Sequence, residues 1–262
     1  MIAKLKASVA KRNSLLCVGL DFDPSKTDER YRSSPLEYNR IVIEATKDLA
    51  CAYKPNAAFY EALGMKGLEA LEKTIKLIPS DTLIILDAKR GDIGNTSKMY
   101  AKAAFDILGA DAVTVSPYMG EDSVSPFLEF PGKGVFVLCL TSNKGAQDFQ
   151  KLKCPERYLY LEVALKCNAW AKAHPEAGIG LVIGATQQEI AAVRGVTALP
   201  FLVPGVGAQG GDLETAVKEG NRGGLALINA SRGIIYPEGK GDIAVRIRAA
   251  ALELRDGINK VK

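Results

Sequence analysis

The run Asp87-Ala-Lys89-Arg90-Gly91-Asp92 sets two carboxylates and two cations directly behind the apolar stretch Leu83-Ile-Ile-Leu86. If the chain stays extended past Leu86, side chains repeat every two residues, so Asp87 and Lys89 share one face. Unpaired charges on such a face would be costly to bury. Taken with Lys54, which ends the apolar stretch Cys51-Ala-Tyr53, and with Asp92, they form an alternating array of near-zero net charge that can be buried. The chemistry available is that of Lys, Asp, Arg and backbone groups. The chain has a single histidine, His174, which precedes Pro175 in a polar stretch and reads as a surface loop residue. Its five cysteines (Cys17, Cys51, Cys139, Cys154, Cys167) include no C-x-x-C pair, and the first three sit in apolar surroundings as small core residues. A zinc site or a His-based triad is therefore not expected.

These residues need elements that aim them at one point. Continuous apolar runs at Leu15–Leu20, Cys51–Lys54, Leu83–Leu86, Ala112–Val115, Val135–Leu140, Ile179–Ile183, Phe201–Val203 and Leu225–Ile228 mark strands buried on both faces of a parallel sheet. Helical segments fill the gaps. Leu36–Leu49 carries an apolar stripe, Thr186-Gln-Gln-Glu189 is a capping box opening a helix toward Val193, and Asp242–Leu254 has a broad apolar face ended by Gly257. Eight strand–helix repeats predict a closed parallel (β/α)8 TIM barrel with an extra N-terminal amphipathic helix. An open doubly wound sheet is the alternative, but no strand-turn G-x-G-x-x-G supports a dinucleotide version.

In a barrel the active site lies where strands end. Asp21 follows the first run, Lys54 ends the second, and Asp87, Lys89 and Asp92 follow the third. Thr141-Ser142-Asn143 follows the fifth, Pro204 through Gln209 the seventh, and Asn229-Ala-Ser-Arg232 the eighth. Individually such residues have plainer roles: a lone Asp after a strand is commonly a turn or cap residue, and Asp23 before Pro24 reads as that. Pro204–Gly211 holds four glycines (Gly205, Gly207, Gly210, Gly211) before a helix starting near Asp212. Backbone N–H groups of such a turn, with Arg232 nearby, suit a phosphate ester; tight βα turns alone are the other reading.

The 262 residues, 47% of them hydrophobic, match the ~250 residues of one eight-fold barrel. Two ordinary domains are possible on length alone, but no low-complexity linker divides the chain, so residues 1–262 are expected to form one domain. No stretch reaches the ~18 apolar residues of a membrane span, and the N-terminus lacks a signal-peptide core, which points to the cytoplasm. The net charge of +4 comes from 34 basic residues spread among 30 acidic ones, which suits an anionic small molecule and not nucleic acid.

Six segments together resemble the orotidine 5'-phosphate decarboxylases: Gly19-Leu-Asp-Phe-Asp23, Tyr53-Lys-Pro-Asn56, Leu86 through Thr96, Thr141-Ser-Asn143, Pro204 through Gln209, and Ser231-Arg232. They occur in family order over nearly the whole chain, and the Lys-Pro-Asn and Thr-Ser-Asn forms resemble the subgroup often found in bacteria. The resemblance implies decarboxylation of orotidine 5'-monophosphate to uridine 5'-monophosphate without metal or organic cofactor, in de novo pyrimidine synthesis. It implies a catalytic tetrad of Lys54, Asp87, Lys89 and Asp92, with Asp92 and Thr96 reaching the neighbouring site of a homodimer. Asp21 and Lys54 would contact the ribose, Ser142 the pyrimidine, and Gln209 and Arg232, with the turn from Pro204, the phosphate. Lys89 would stabilise and then protonate the C6 carbanion. The loop after the seventh strand is shorter than the lid of better-known members. A metal-dependent sugar-phosphate decarboxylase or aldolase on a related barrel is the nearest rival, although such enzymes carry an acidic residue where Lys54 stands. A non-catalytic nucleotide-binding barrel is the other.

Overall fold

The computed structural model describes residues 1–184, 189–205 and 212–262. Eight parallel strands close a barrel in chain order: β1 (Leu16–Gly19), β2 (Ala52–Lys54), β3 (Leu83–Arg90), β4 (Ala112–Val115), β5 (Gly134–Leu140), β6 (Gly178–Ile183), β7 (Phe201–Pro204) and β8 (Ala226–Ala230). Closure is made by β8 against β1, with Cys17 beside Asn229. The apolar runs form strands because both faces are covered; in β1, β4, β6 and β8 every residue is buried. Helices Pro35–Thr46, Gly64–Leu77, Gly94–Lys102, Leu159–Ala173, Leu213–Asn221 and Ile243–Val261 are the longer crossovers that cover the outer face.

One apolar cluster draws from all eight strands: Cys17, Ala52, Leu83, Ile85, Ala112, Phe136, Val182, Leu202 and Leu227. That cluster is the barrel interior, and it includes Met1 and Leu5 of the N-terminal segment. The expected extra helix, Ile2–Arg12, thus plugs the bottom of the barrel. Arg12, itself buried, ties this helix to Asp81 at 2.8 Å, and Lys4 does the same to Asp111 at 2.6 Å. Asn13 ends the helix in the left-handed region (φ 43°) with its N–H on the Ala10 carbonyl.

Two residues further along the strands, alternation turns the next layer inward: Gly19, Lys54, Asp87, Thr114, Pro204 and Asn229. The interior therefore changes from apolar to polar in a single step toward the C-terminal mouth. Lys54, Asp87, Thr114 and Asn229 are nonetheless buried, at 4%, 8%, 1% and 5% exposure.

The structure corrects several expected boundaries. β3 runs four residues past Leu86 to Arg90, so Asp87 to Arg90 of the charged run lie inside the strand and only Gly91 and Asp92 behind it. Gly257 does not end the last helix, which continues to Val261; it lies within that helix facing Leu213, where a Cβ would make an ordinary contact at 3.4 Å. The helix toward Val193 spans Ile190–Arg194, while Thr186, Gln187 and Gln188 of its capping box lie outside the described residues. His174 caps the helix Leu159–Ala173, and all five cysteines are free, with Cys17, Cys51, Cys139 and Cys167 buried. Burial pushes the Cys17 thiol up to about 12. No helix among the described residues is long and apolar enough to cross a membrane.

Candidate active site

The site is built on the Asp87 carboxylate. Its Oδ2 accepts from Lys54 Nζ at 2.8 Å and its Oδ1 from Lys89 Nζ at 2.7 Å, so two lysines share one buried anion. Burial alone would raise the Asp87 carboxyl, but Lys54 and Lys89 outweigh it and hold the group well below the usual carboxylate range. Burial would likewise lower the Lys54 ammonium, and Asp87 with Asp21 more than offsets that, leaving it above the usual lysine value. Both groups are therefore ionised at neutral pH. Lys89 differs in that half of its side chain is open at the mouth (50% exposure) while its ammonium rests on Asp87.

Asp87 and Lys89 meet as expected, but not by plain strand alternation. Lys89 has φ 47°, in the left-handed region, which costs a lysine roughly 1 kcal/mol. The β3–β4 register shifts at the same place, between Leu86 and Arg90. Thr114 of β4 fills the gap. Its Oγ1 accepts from the N–H groups of Ala88 and Lys89 at 3.0 and 2.9 Å, and its hydroxyl donates to Asp87 Oδ1 at 2.9 Å. Thr114 escaped sequence reasoning because it reads as one β-branched residue within an apolar strand. The available signal was position, since it is the inward-facing hydroxyl one layer above Ala112.

Asp21, at the end of β1, is half-buried and accepts from the Ser231 hydroxyl, while its Oδ1 is buried with no hydrogen-bond partner among the described residues. Gly19 permits this contact, for a Cβ there would lie 2.0 Å from Ser231 Oγ. Ser231, which the sequence marked only as the neighbour of Arg232, is the hydroxyl that meets Asp21. Asp23 is the turn residue it was expected to be, accepting from Ser25 N and Oγ at 2.9 and 2.6 Å. Asn56 of Lys54-Pro-Asn56 caps the helix Ala57–Glu61 and accepts from Ala58 N–H at 3.2 Å, while Pro55 C=O accepts from Asp87 N–H at 2.9 Å. Backbone thus ties β2 to β3 just where their charged side chains pair.

Ser142 follows β5 in a segment stapled by Gln150, whose Oε1 accepts from Thr141 N–H at 2.7 Å. Pro204 ends β7 beside Asn229, and Arg232 opens the short helix Arg232–Ile235 with its side chain exposed. Gln209 and the glycines Gly207, Gly210 and Gly211 lie outside the described residues. Asp212 caps the helix Leu213–Asn221, as expected, through Glu214 N–H at 3.0 Å. Asp92 and Thr96 are not drawn into the Lys54–Asp87–Lys89 centre. Asp92 is half-buried, accepts from Ile93 N–H at 2.8 Å and makes no ion pair among the described residues; Thr96 is exposed on the helix Gly94–Lys102. Among the described residues no group of three or more His, Cys, Asp or Glu side chains is placed to hold a metal ion.

Such an arrangement can hold an anionic substrate and stabilise negative charge next to a lysine that is able to give up a proton. Comparison with known proteins follows the same line. The family model described as "Orotidine 5'-phosphate decarboxylase / HUMPS family" matches residues 14–246. The orotidine 5'-phosphate decarboxylase of Dehalococcoides mccartyi is 52% identical over 98% of this chain and 97% of its own length. That of Herpetosiphon aurantiacus is 48% identical over 95% and 94%. Among solved structures, an orotidine-monophosphate decarboxylase from Toxoplasma gondii superposes with TM-score 0.91 at 40% identity, covering 99% of this chain and 96% of the other. Leishmania donovani UMP synthase gives TM-score 0.89 at 43% identity, covering all of this chain but 56% of the longer protein. The chain belongs to the orotidine 5'-phosphate decarboxylase / HUMPS family.

Proposed function

We propose that this chain, acting as a cytoplasmic homodimer with residues 1–262 as one catalytic domain, decarboxylates orotidine 5'-monophosphate to uridine 5'-monophosphate and CO2 in pyrimidine biosynthesis. The observation that carries the reading is the pair of lysines on the buried Asp87 carboxylate at the barrel mouth. In the reaction the bond from C6 to the carboxylate breaks and its electron pair stays on C6. No imine or other electron sink accepts that pair. The Lys89 ammonium lies beside the developing charge and then transfers a proton to C6; solvent reprotonates the lysine.

Asp87 faces the departing carboxylate. Repulsion between two unit charges at ~4 Å amounts to about 4 kcal/mol at an effective dielectric near 20. Slow uncatalysed reactions demand barrier reductions of up to ~23 kcal/mol or more. The larger share therefore belongs to the preorganised Lys89 and to binding energy from the remote phosphate at Arg232. Asp21 and Lys54 take the ribose hydroxyls, which supplies a partner for the orphaned Asp21 Oδ1. Ser142 takes the pyrimidine, and Gln209 joins Arg232 at the phosphate, beside the turn that starts at Pro204.

The dimer rests on the other end of the run. Asp92 has no ionic partner among the described residues of its own chain, and the apolar side chains near it in sequence, Ile93 and Met99, are exposed at 51% and 54%. A partner's site is where Asp92 and Thr96 find their contacts. The deciding assay follows loss of orotidine 5'-monophosphate absorbance with purified protein, with and without EDTA. Turnover unaffected by chelator is expected. Absence of turnover defeats the reading, and activity on a sugar phosphate restored only by a divalent cation favours the metal-dependent rival.

A further inference from the structure

We infer that Thr114 is the positioning residue of this active site, the group that fixes the catalytic Lys89 over the reacting carbon. The inference rests on the decarboxylase reading above and deepens it. A threonine hydroxyl can donate one hydrogen bond and accept two, and Thr114 uses all three. The proton goes to Asp87 Oδ1 at 2.9 Å, and the two acceptor positions are filled by consecutive N–H groups, Ala88 at 3.0 Å and Lys89 at 2.9 Å. One atom therefore binds both the carboxylate under Lys89 and the backbone from which Lys89 springs.

That backbone needs a partner. Lys89 and the helix-capping Asn13 are the two non-glycine residues with positive φ among the described residues. Strand pairing does not hold Lys89, since the β3–β4 register passes from Leu86–Val113 to Arg90–Val115 and skips the residues between. Where the ladder is interrupted, the Thr114 hydroxyl replaces it. Being 1% exposed, it has no water to take over those bonds if it is removed. Without it, two buried N–H groups lose their acceptor and Asp87 Oδ1 loses a donor, so the left-handed conformation of Lys89 loses its support. The ammonium would remain in the chain but shift from its place, and displacements near 1 Å can cost about 10²-fold in rate.

The test compares Thr114→Val, which keeps the shape and removes the hydroxyl, with Thr114→Ser, which keeps the hydroxyl and removes the methyl. For Thr114→Val, kcat is expected to fall about 10²-fold while KM moves less than about threefold, because the phosphate and ribose contacts are untouched. Thr114→Ser is expected to return kcat to within about threefold of the wild type, since serine offers the same donor and acceptors. Thermal unfolding and uridine 5'-monophosphate binding establish that each variant is folded. If Thr114→Val does not fold, Thr114→Ala replaces it, removing the hydroxyl without placing a methyl against the two N–H groups. A folded hydroxyl-free variant with wild-type kcat, or Thr114→Ser as slow as that variant, overturns the inference. A wild-type chain that does not turn over orotidine 5'-monophosphate overturns the proposed function instead, so the two failures are distinct.

Discussion

The two ends of the Asp87–Asp92 run have opposite surroundings although only four residues lie between them. At one end Asp87 is 8% exposed and holds two lysines and a threonine, all from its own chain. At the other, Asp92 is half-buried and, among the described residues, its side chain is bonded only to the next residue's N–H, and Thr96 beyond it is exposed. The same residue type is thus saturated in one place and left with spare acceptors in the other. A carboxylate that has all its partners at hand is one the fold itself requires. A carboxylate with spare acceptors is available for something the single chain does not contain. The difference separates what one protomer can assemble from what must be brought to it.

The largest expected effect is on the saturated end. On the proposed reading Lys89→Ala removes both the charge next to C6 and the proton donor, and kcat should fall about 10⁴-fold or more, equivalent to about 5.5 kcal/mol. Uridine 5'-monophosphate should still bind, since phosphate and ribose contacts do not involve Lys89. Stopped-flow or long-incubation absorbance assays check the rate, and calorimetry checks binding; residual activity within a hundredfold of wild type would defeat the role of Lys89.

Next comes stability. Asp87→Asn leaves Lys54 buried without its counter-charge, and breaking a buried pair in this way costs about 3–5 kcal/mol. The pH dependence has a definite sign. Asp87 titrates below its unfolded value, so its contribution is fully present above about 4 and is lost as pH falls through the lower folded value. Lys54 titrates above its unfolded value, so its contribution is present at neutral pH and is lost only as pH rises through that higher folded value. Urea unfolding of wild type and Asp87→Asn should therefore show a stability gap near neutrality that narrows below about pH 4. A gap that widens on acidification would mean that the pair does not stabilise the fold.

How much of this was readable in advance follows from the same physics. The eight strands could be read because a strand buried on both faces must be continuously apolar, and each of the eight runs overlaps a strand of the barrel. Lys54 and Asp87 could be read together because charges that end separate buried runs need one another to be buried, whereas Asp21 alone had a plainer explanation as a turn or cap residue. The geometry of Lys89 could not. A positive φ and a skipped register leave no mark on residue type, and alternation gave the right neighbour for an incomplete reason. Thr114 was hidden by its propensity, since a threonine in Ala112-Val-Thr-Val115 suits a strand whether or not its hydroxyl is used. Ser231 was hidden in another way. It stands next to Arg232 in sequence, but Gly19 lets it reach across to Asp21, a contact between the ends of β1 and β8 that sequence separation conceals.

The smallest effect on the fold should come from the unsaturated end, and it discriminates most sharply. Asp92→Asn changes no ion pair among the described residues, so the stability of an isolated protomer should move by no more than about 0.5 kcal/mol. Activity should nevertheless collapse if Asp92 completes a neighbour's site, and the loss should be repairable without restoring Asp92 to its own chain. On that reading each chain of a twofold dimer gives its Lys89 to one site and its Asp92 to the other. A hybrid of Lys89→Ala with Asp92→Asn then has one doubly damaged site and one with every residue intact. Equal mixing with free subunit exchange makes half of the dimers hybrids, so activity should recover to about one quarter of wild type from two nearly inactive parents. Exchange is verified independently by mass spectrometry of differently tagged chains. If hybrids form and activity stays at the level of the parents, Asp92 serves its own chain, and its lack of a partner among the described residues needs another explanation. If Asp92→Asn alone retains full activity, the exposed end of the run is surface and only the Asp87 end belongs to the site.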